Sequence, residues 1–370
     1  MRELKNIKQI VVKVGTSVVA KPDGTLNKNY MKQVAQQVSK LTKQGKSVTL
    51  VSSGAVVSGA KKFGLSEMPR DIPGRQAAAA VGQSILMEAW RTAFRTYGLQ
   101  VAQILLTYEA FSNRRTYINL RNSMTILGEH GIIPIINEND PISVHEIEST
   151  FGDNDKLSAL VAANTDTSLL ILLTDVNGLY TRNPRHKDAE LIPEVDEITN
   201  AIEKMGGEPG SWRTKGGMKS KIEAAKIAAR SNCAMIIANA REKNVITRIL
   251  QGEEIGTLFK PAQSYYSNKE RWILYSISNG KIVIDQGAKA ALLNGKSLLP
   301  SGILDVEGEF EAGSIISITH EGQEMGKGVV DYSSEELKKI KGKQTNDIEE
   351  ILGYKNYDNA VRSENIALGQ

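Results

Sequence analysis

The sequence predicts an α/β protein: a three-layer αβα domain with an open, mainly parallel sheet, followed by a small, mainly β module. Two observations predict the first part. Short β-branched, apolar segments alternate with amphipathic segments up to residue 260, which is typical of repeated strand–helix units. Runs such as LLILL and IIPII are apolar throughout, as in strands that helices cover on both faces. Beyond Lys260-Pro261, short strand-like segments separated by glycine turns predict the second part.

The predicted strands of the first part cover residues 7–14, 48–52, 101–107, 132–136, 169–174 and 234–238. The predicted helices cover a segment with Met31, Val34, Val38 and Leu41 on one face, then residues 77–94, 115–129, 156–163 and 219–229. In parallel sheets of this kind ligands bind at the carboxyl ends of the strands. The residues that follow each strand are therefore the candidates for function.

Length and composition indicate an ordinary two-domain protein of a reducing compartment. A chain of 370 residues exceeds one hydrophobic core, and we expect a domain at 1–260, a linker at 261–271 and a domain at 272–370. Cys233 is the only cysteine, which excludes an intrachain disulfide and a cysteine-based zinc cluster. The charged N-terminus and the short apolar run at 169–173 predict a cytoplasmic protein without membrane contact.

The first strand ends in VVKVGTS, which places Lys13 beside a turn at Gly15. A cation next to free backbone N–H groups suits a phosphate, although a lysine that extends to the surface before an ordinary turn has the same pattern. The turn is not a Walker A loop. The two GKS tripeptides, at Gly45 and Gly295, lack the required earlier glycine, since Lys40 and Ala290 stand there.

Polar residues cluster at later strand ends. The second strand is followed by Ser53-Gly54, which could approach a ligand or simply cap a helix. The fourth predicted strand leads into Asn-Glu-Asn-Asp at 137–140, and Asp-Asn-Asp at 153–155 precedes a helix. This density of acids and amides exceeds what capping requires. Such groups could bind an ammonium group, orient lysines or contact Mg²⁺ through water.

Two further segments suit a nucleotide. The fifth strand ends in Thr174-Asp175, before a turn-rich loop. In KGGMKSK, two glycines precede a helix whose first turn contains Lys219 and Lys221. Lysines there oppose the helix dipole, and a bound anion would offset this, although solvated lysines remain the alternative.

In this order the segments VVKVGTS, VSSGAV, AAVGQ, INENDP, FGDNDKLSAL, LLTDVNGLYT and KGGMKSK resemble the amino acid kinase family, and most closely its glutamate-phosphorylating branch. The tail, with VIDQGAKAAL, GKSLLPSGI and VEGEFEAG, resembles the PUA domain that many bacterial members of this branch carry. The resemblance implies ATP- and Mg²⁺-dependent phosphorylation of the L-glutamate γ-carboxylate to L-glutamyl 5-phosphate, the first step of proline biosynthesis.

The resemblance also implies roles for single residues. Lys13 and Lys221 would contact the transferred phosphoryl group, and Asp155 would hold both lysines. The residues implied in substrate binding are Ser53, Asp140, Asp153 and Asn154. The residues implied in ATP binding are Lys13, Gly15, Thr174, Asp175, Lys215, Gly216, Gly217, Met218, Lys219, Ser220 and Lys221. No direct protein ligand to Mg²⁺ is expected. One departure is Thr214-Lys215, where the family commonly has Gly-Thr.

The implied partners are a second copy of the chain in a dimer or tetramer, proline as a feedback inhibitor, and glutamyl phosphate reductase as the acceptor of the product. Two alternatives stay open. A sister kinase for another carboxylate would share the lysines, but the Asn-Glu-Asn-Asp run favours a substrate with a free ammonium group. An RNA-binding protein would use the basic run at Lys338, Lys339, Lys341 and Lys343, which has no interleaved aromatic residues.

Overall fold

The computed structural model describes residues 1–65, 67–143, 154–206, 217–262 and 266–369. The chain divides into two compact units. Unit 1 comprises Met1–Thr107 and Ile118–Tyr265, and unit 2 comprises Tyr108–Tyr117 and Tyr266–Gln370. The predicted fold class, a large α/β domain followed by a β-rich module, is confirmed. Its exact boundaries at 260 and 272 stay a prediction.

The strands of unit 1 form one sheet. They are β1 (Gln9–Val14), β2 (Ser47–Ser52), β3 (Val101–Leu106), β4 (Ile133–Glu138), β5 (Leu169–Thr174), β6 (Glu194–Val195), β7 (Ala234–Asn239) and β8 (Thr257–Phe259). Their order is β3-β4-β2-β1-β5-β7-β8-β6, and β7 with β8 is its antiparallel pair. The sequence does not predict β6 and β8, because two or three residues are too few to show a periodic pattern.

Helices connect these strands and extend to residue 250. They are α1 (Thr16–Val19), α2 (Lys28–Lys43), α3 (Ala55–Lys62), α4 (Ile72–Arg95), α5 (Glu109–Ser112), α6 (Arg114–Glu129), α7 (Asn154–Asn164), α8 (Asn200–Met205), α9 (Met218–Arg230) and α10 (Val245–Leu250). Helix α4 begins five residues before its predicted start, because Asp71 caps it by accepting a hydrogen bond from the Gly74 N–H at 2.8 Å. None of the described helices is both long and apolar enough to cross a membrane.

The two faces of the sheet in unit 1 carry different helices. Helices α2, α4 and α10 pack on one face, in a core that includes Val12 and Val14 of β1. Helix α7 contacts β1, β2, β4 and β5, and it packs against α9. Because side chains alternate along a strand, Lys13 points away from the core that holds Val12 and Val14. It therefore points toward α7 and α9.

Helices α3 and α4 approach each other closely through two glycines. A β-carbon on Gly59 would lie 1.8 Å from the carbonyl oxygen of Ala78, and a β-carbon on Gly82 would lie 1.8 Å from that of Ala55. Both contacts are with backbone atoms, which a side chain could not displace by rotating. The pair of glycines thus fixes α4 against the helix that follows β2.

Unit 2 contains a five-stranded sheet in the order β10-β9-β11-β12-β13. The strands are β9 (Gly280–Ile284), β10 (Ile303–Gly308), β11 (Ile315–His320), β12 (Gln323–Val329) and β13 (Ile366–Leu368). The helices are α11 (Asn268–Tyr275), α12 (Gln286–Leu293), α13 (Ser334–Ile340) and α14 (Ile348–Leu352), in addition to α5. Aliphatic side chains such as Ile282, Ile316 and Leu337 form the core.

The first helix of this group, α11, begins inside the expected linker 261–271. A capping box between Ser267 and Glu270 starts it, and α11 contacts α5. The Trp272 indole N–H donates to the carbonyl oxygen of Ser112 at 3.1 Å, and the Ile277 N–H donates to the Ser112 hydroxyl at 2.7 Å. Residues 108–117, which are distant in sequence, are therefore part of unit 2.

Candidate active site

Two lysines from different elements meet one aspartate at the carboxyl end of β1. The Lys13 ammonium lies 2.5 Å from Oδ1 of Asp155, and the Lys221 ammonium lies 2.8 Å from Oδ2. Lys13 comes from β1, Asp155 from the first turn of α7 and Lys221 from the first turn of α9. The side chains of Lys13, Asp155 and Lys221 are only 8%, 1% and 10% exposed. The three residues thus form one buried charge cluster.

Lys221 lies in an unfavourable position in the first turn of α9. A lysine at a helix N-terminus opposes the helix dipole, and burial makes its charge more costly still. The Asp155 carboxylate compensates for both effects. Ser220 supports the arrangement, since its hydroxyl lies 3.3 Å from Asp155 Oδ2 and donates to the carbonyl oxygen of Gly217 at 2.9 Å.

Burial by itself would raise the pKa of Asp155, but the ammonium groups of Lys13 and Lys221 outweigh burial and hold that pKa at about 2, below its ordinary value of 3.8. Asp155 is therefore ionised near neutral pH. The two ammonium groups beside it are donors of the kind that bind phosphate oxygens, so the cluster suits a phosphoryl group.

A chain of amide side chains begins one residue before Asp155. The Asn154 amide group donates to the Ser53 hydroxyl at 2.7 Å and to Oδ1 of Asn137 at 2.9 Å. The Asn137 amide group in turn donates to Oε1 of Gln83 at 2.8 Å. These residues come from α7, the end of β2, the end of β4 and α4. The structure therefore brings together Ser53 and Asn154, both implied in substrate binding.

Strand β4 runs through Asn137 and Glu138, so these residues lie at its carboxyl end and not, as predicted, in the loop after it. Asp140, in the turn that follows, lines a cavity of about 330 Å³ together with Gln83 and Glu138. The cavity lies between α4 and the edge strand β3 and includes Gln103 and Leu105 in its wall. Gln83 belongs to the amide chain. Asp140 lines the same cavity as Gln83 and is therefore close to that chain.

The described residues implied in ATP binding lie at the ends of β1 and β5 and at the start of α9. The Gly15 N–H donates to the carbonyl oxygen of Leu173 at 3.2 Å, which joins the ends of β1 and β5. Thr174 is buried and donates to the exposed carboxylate of Asp175 at 3.1 Å. At the start of α9, Gly217 and Lys219 are exposed, whereas Met218 and Ser220 are half-buried. Asp153, Lys215, Gly216 and the unusual Thr214 lie outside the described residues.

The charge cluster does not offer a ligand set for a metal ion. Both oxygens of Asp155 contact lysine ammonium groups, so this carboxylate is not available to a cation. In the described ranges, no group of three or more histidine, cysteine, aspartate and glutamate side chains is arranged to hold one.

The sequence does not indicate a role for Gln83, and it places Asn137 in a polar cluster without a specific partner, although both residues belong to the amide chain. Asn137 is one of several amides and acids at 137–140, so its own partner cannot be identified from the sequence, and Gln83 is the only amide in the predicted helix 77–94. The motif AAVGQ could have indicated this role. Its glycine, Gly82, contacts α3, and its glutamine, Gln83, bonds to Asn137.

Comparison with known proteins agrees with this geometry. Residues 8–239 match the model of the amino acid kinase family, and residues 280–352 match that of the PUA domain. A protein named glutamate 5-kinase from Methanococcoides burtonii is 55% identical over 97% of this chain and 96% of its own length. Its namesake from Methanosarcina acetivorans is 50% identical over 98% of this chain and 97% of its own length.

A bacterial relative of the same name, from Caldanaerobacter subterraneus subsp. tengcongensis, is 45% identical over 97% of both chains. Among solved structures, the UMP kinase of Bacillus anthracis covers 69% of this chain and 96% of its own at 16% identity, with a TM-score of 0.49, and the assignment does not depend on it. The match to the family model and the full-length relatives together show the family of this chain. This chain belongs to the amino acid kinase family.

Proposed function

We propose that the chain transfers the γ-phosphoryl group of ATP to the γ-carboxylate of L-glutamate, forming L-glutamyl 5-phosphate and ADP as the first step of proline biosynthesis. The observation that carries the proposal is the pair of buried lysines on Asp155, next to the amide chain of Asn154. Full-length relatives named glutamate 5-kinase support the choice of substrate.

The chemistry needs no general base. A γ-carboxyl group with an ordinary pKa of about 4.3 is already ionised at neutral pH. One of its oxygens attacks the γ-phosphorus of ATP, and the bond between this phosphorus and the oxygen bridging to the β-phosphate breaks. ADP leaves with the bonding electrons. The main obstacle is repulsion between the anionic acceptor and the triphosphate, together with alignment of the two.

The lysine cluster addresses this obstacle. Lys13 and Lys221 place two ammonium groups at fixed distances from one carboxylate, so their charges are oriented before the substrates arrive. Asp155 acts as the positioning residue of the pair. Mg²⁺, when bound with ATP, would supply further shielding of the phosphate charge. Thr174, Asp175 and the segment 215–221 would hold the nucleotide, and Ser53, Asp140, Asp153 and Asn154 would hold the amino acid.

The enzyme would act in the cytoplasm, as a dimer or tetramer of this chain. Proline would inhibit it by feedback, and glutamyl phosphate reductase would receive the labile product. RNA as a ligand of unit 2 has only the resemblance of its PUA domain in its favour, and Lys341 of the basic run is engaged by Asp305 at 2.6 Å.

The direct test is acyl-phosphate formation in the presence of ATP and Mg²⁺, trapped as a hydroxamate with hydroxylamine. L-Glutamate, N-acetylglutamate and L-aspartate would be compared as acceptors. We expect product with L-glutamate and little with the other two acids. Product with another acid alone would move the enzyme to a sister branch of the family, and no product with any of them would contradict the kinase proposal.

A further inference from the structure

The amide chain ends in a glutamine that the resemblance does not include among the site residues. Gln83 lies on α4 and is 8% exposed. Its Oε1 accepts the hydrogen bond from Asn137, whose own Oδ1 accepts the bond from Asn154. Gln83 is thus two hydrogen bonds away from a residue implied in substrate binding.

A chain of amides has a direction, because one end of each amide only donates and the other only accepts. Since Gln83 offers its oxygen to Asn137, the Asn137 amide group must turn toward Gln83 and its oxygen toward Asn154. Asn154 then uses its amide group for Asn137 and Ser53. The remaining atom of Asn154 is its oxygen, so the orientation of Gln83 determines which group Asn154 presents.

That oxygen is buried and lacks a partner. Asn154 is 8% exposed, and its Oδ1 accepts no hydrogen bond from the residues that the structure describes. A buried acceptor without a donor is costly, and a donor on a ligand would remove the cost. An ammonium group offers donors and a positive charge. Glu138 and Asp140, which share a cavity wall with Gln83, add negative charge nearby.

The position of Gln83 is fixed by the packing of its helix. The preceding residue, Gly82, makes the close contact with α3. Seven residues later on the same face, the Trp90 indole donates to the Ser52 hydroxyl at 2.9 Å. Helix α4 is thereby joined to the carboxyl end of β2 through Trp90 and to that of β4 through Gln83.

We propose that Gln83 is a positioning residue that orients Asn137 and Asn154 so that Asn154 presents its carbonyl oxygen to the ammonium group of an amino-acid substrate. The inference deepens the proposed function and rests on it for the identity of that substrate. It predicts that Gln83 contributes to the selection of a free amine, not to the transfer of the phosphoryl group.

The test is isothermal titration calorimetry with L-glutamate and with glutarate, which has the same two carboxylates without the amine. In Gln83→Leu the acceptor for Asn137 is lost and Asn154 is free to turn. We expect L-glutamate to bind about tenfold more weakly, as for a lost hydrogen bond to a charged group, with glutarate binding unchanged. Gln83→Glu keeps an acceptor oxygen and should retain the preference for L-glutamate.

Gln103→Leu is the matched control, because Gln103 lines the same cavity on β3 but is exposed. It should bind both acids as the wild type does. If Gln83→Leu does not fold, Gln83→Met replaces it. Equal weakening of both acids, no weakening of either, or a wild type that does not prefer L-glutamate would each overturn the inference. A wild type that prefers L-glutamate but forms no acyl phosphate would instead overturn the proposed function alone.

Discussion

Asp155 combines two roles at the scale of single residues, since it is the counter-charge of two buried lysines and the link between β1, α7 and α9. Its replacement by asparagine would keep the shape and remove the charge. Breaking a buried ion pair by removing one partner typically costs about 3–5 kcal/mol. We therefore expect Asp155→Asn to unfold at a clearly lower temperature than the wild type and to lose at least about a hundredfold in turnover.

Thermal unfolding followed by circular dichroism, together with the hydroxamate assay, measures both effects. Asp188→Asn is the control, because Asp188 forms an ion pair with Arg182 at 2.5 Å while its side chain is 65% exposed. Exposed pairs contribute about 1 kcal/mol or less. If Asp155→Asn unfolded at the same temperature as Asp188→Asn, the buried charge cluster would not be important for stability.

The pH dependence of stability follows from the low pKa of Asp155. Burial raises this pKa but the two lysines lower it more, to about 2 from an ordinary value of 3.8. The folded chain thus binds this proton more weakly than the unfolded chain. The contribution of Asp155 to stability is therefore complete above about pH 4 and declines as the pH falls toward about 2.

The stability difference between the wild type and Asp155→Asn should accordingly be constant from about pH 7 to about pH 5 and shrink below about pH 4. Urea unfolding midpoints of both proteins across this range would show it. A difference that stayed constant or widened in acid would mean that Asp155 is not held ionised by the lysines.

At the scale of elements, the contact of α3 with α4 places Gln83 and Trp90 at the strand ends. Gly82→Ala would set a β-carbon 1.8 Å from the carbonyl oxygen of Ala55, so the helices would have to separate. We expect a loss of stability of about 1–3 kcal/mol, as for overpacked cores, and weaker binding of L-glutamate. Thermal unfolding and calorimetry measure these changes.

Gly128→Ala on α6 separates this packing effect from the general effect of alanine in a helix. A β-carbon there would meet only the Ser47 side-chain hydroxyl at 3.2 Å, and alanine favours helix by up to about 1 kcal/mol over glycine. That variant should be as stable as the wild type or more so. A Gly82→Ala protein of unchanged stability would show that the helices can separate without cost.

The same elements show what the sequence can and cannot predict. Strands such as β1 and β5 have enough apolar residues for their positions to be predicted, and Lys13, Asp155 and Lys221 carry charges whose position after strand ends is informative. Strand β8 is too short for a pattern. Gln83 could not be assigned a role, because Asn137, the partner that it orients, is 54 residues away and only the packing of α4 brings the two together.

At the scale of the whole molecule, unit 2 includes the segment Tyr108–Tyr117 from the middle of the first domain in sequence. Phe111 in this segment is 1% exposed, and Ser112 bonds to Trp272 and Ile277. A chain that ends at Lys260 would lack these partners. We expect residues 108–117 of such a chain to become accessible to protease, since exposed loops without packing are preferred cleavage sites.

Limited proteolysis followed by mass spectrometry compares the full chain with the shortened one. The full chain should resist cleavage within 108–117, and the shortened chain should be cut there while retaining its β1 and α7 fragments in one folded body. Equal resistance of both chains would show that the segment does not depend on residues 266–370 for its structure.

We propose that Lys13 and Lys221 stabilise the transfer of the phosphoryl group. The most direct measurement is the turnover of Lys13→Ala and Lys221→Ala with saturating L-glutamate and ATP, beside Lys226→Ala, a lysine of the same helix α9 that pairs with Glu203 at 2.5 Å near the surface. We predict a loss of about a hundredfold or more for the first two variants and none for the third. Near-normal turnover in Lys13→Ala or Lys221→Ala would contradict this role of the two lysines.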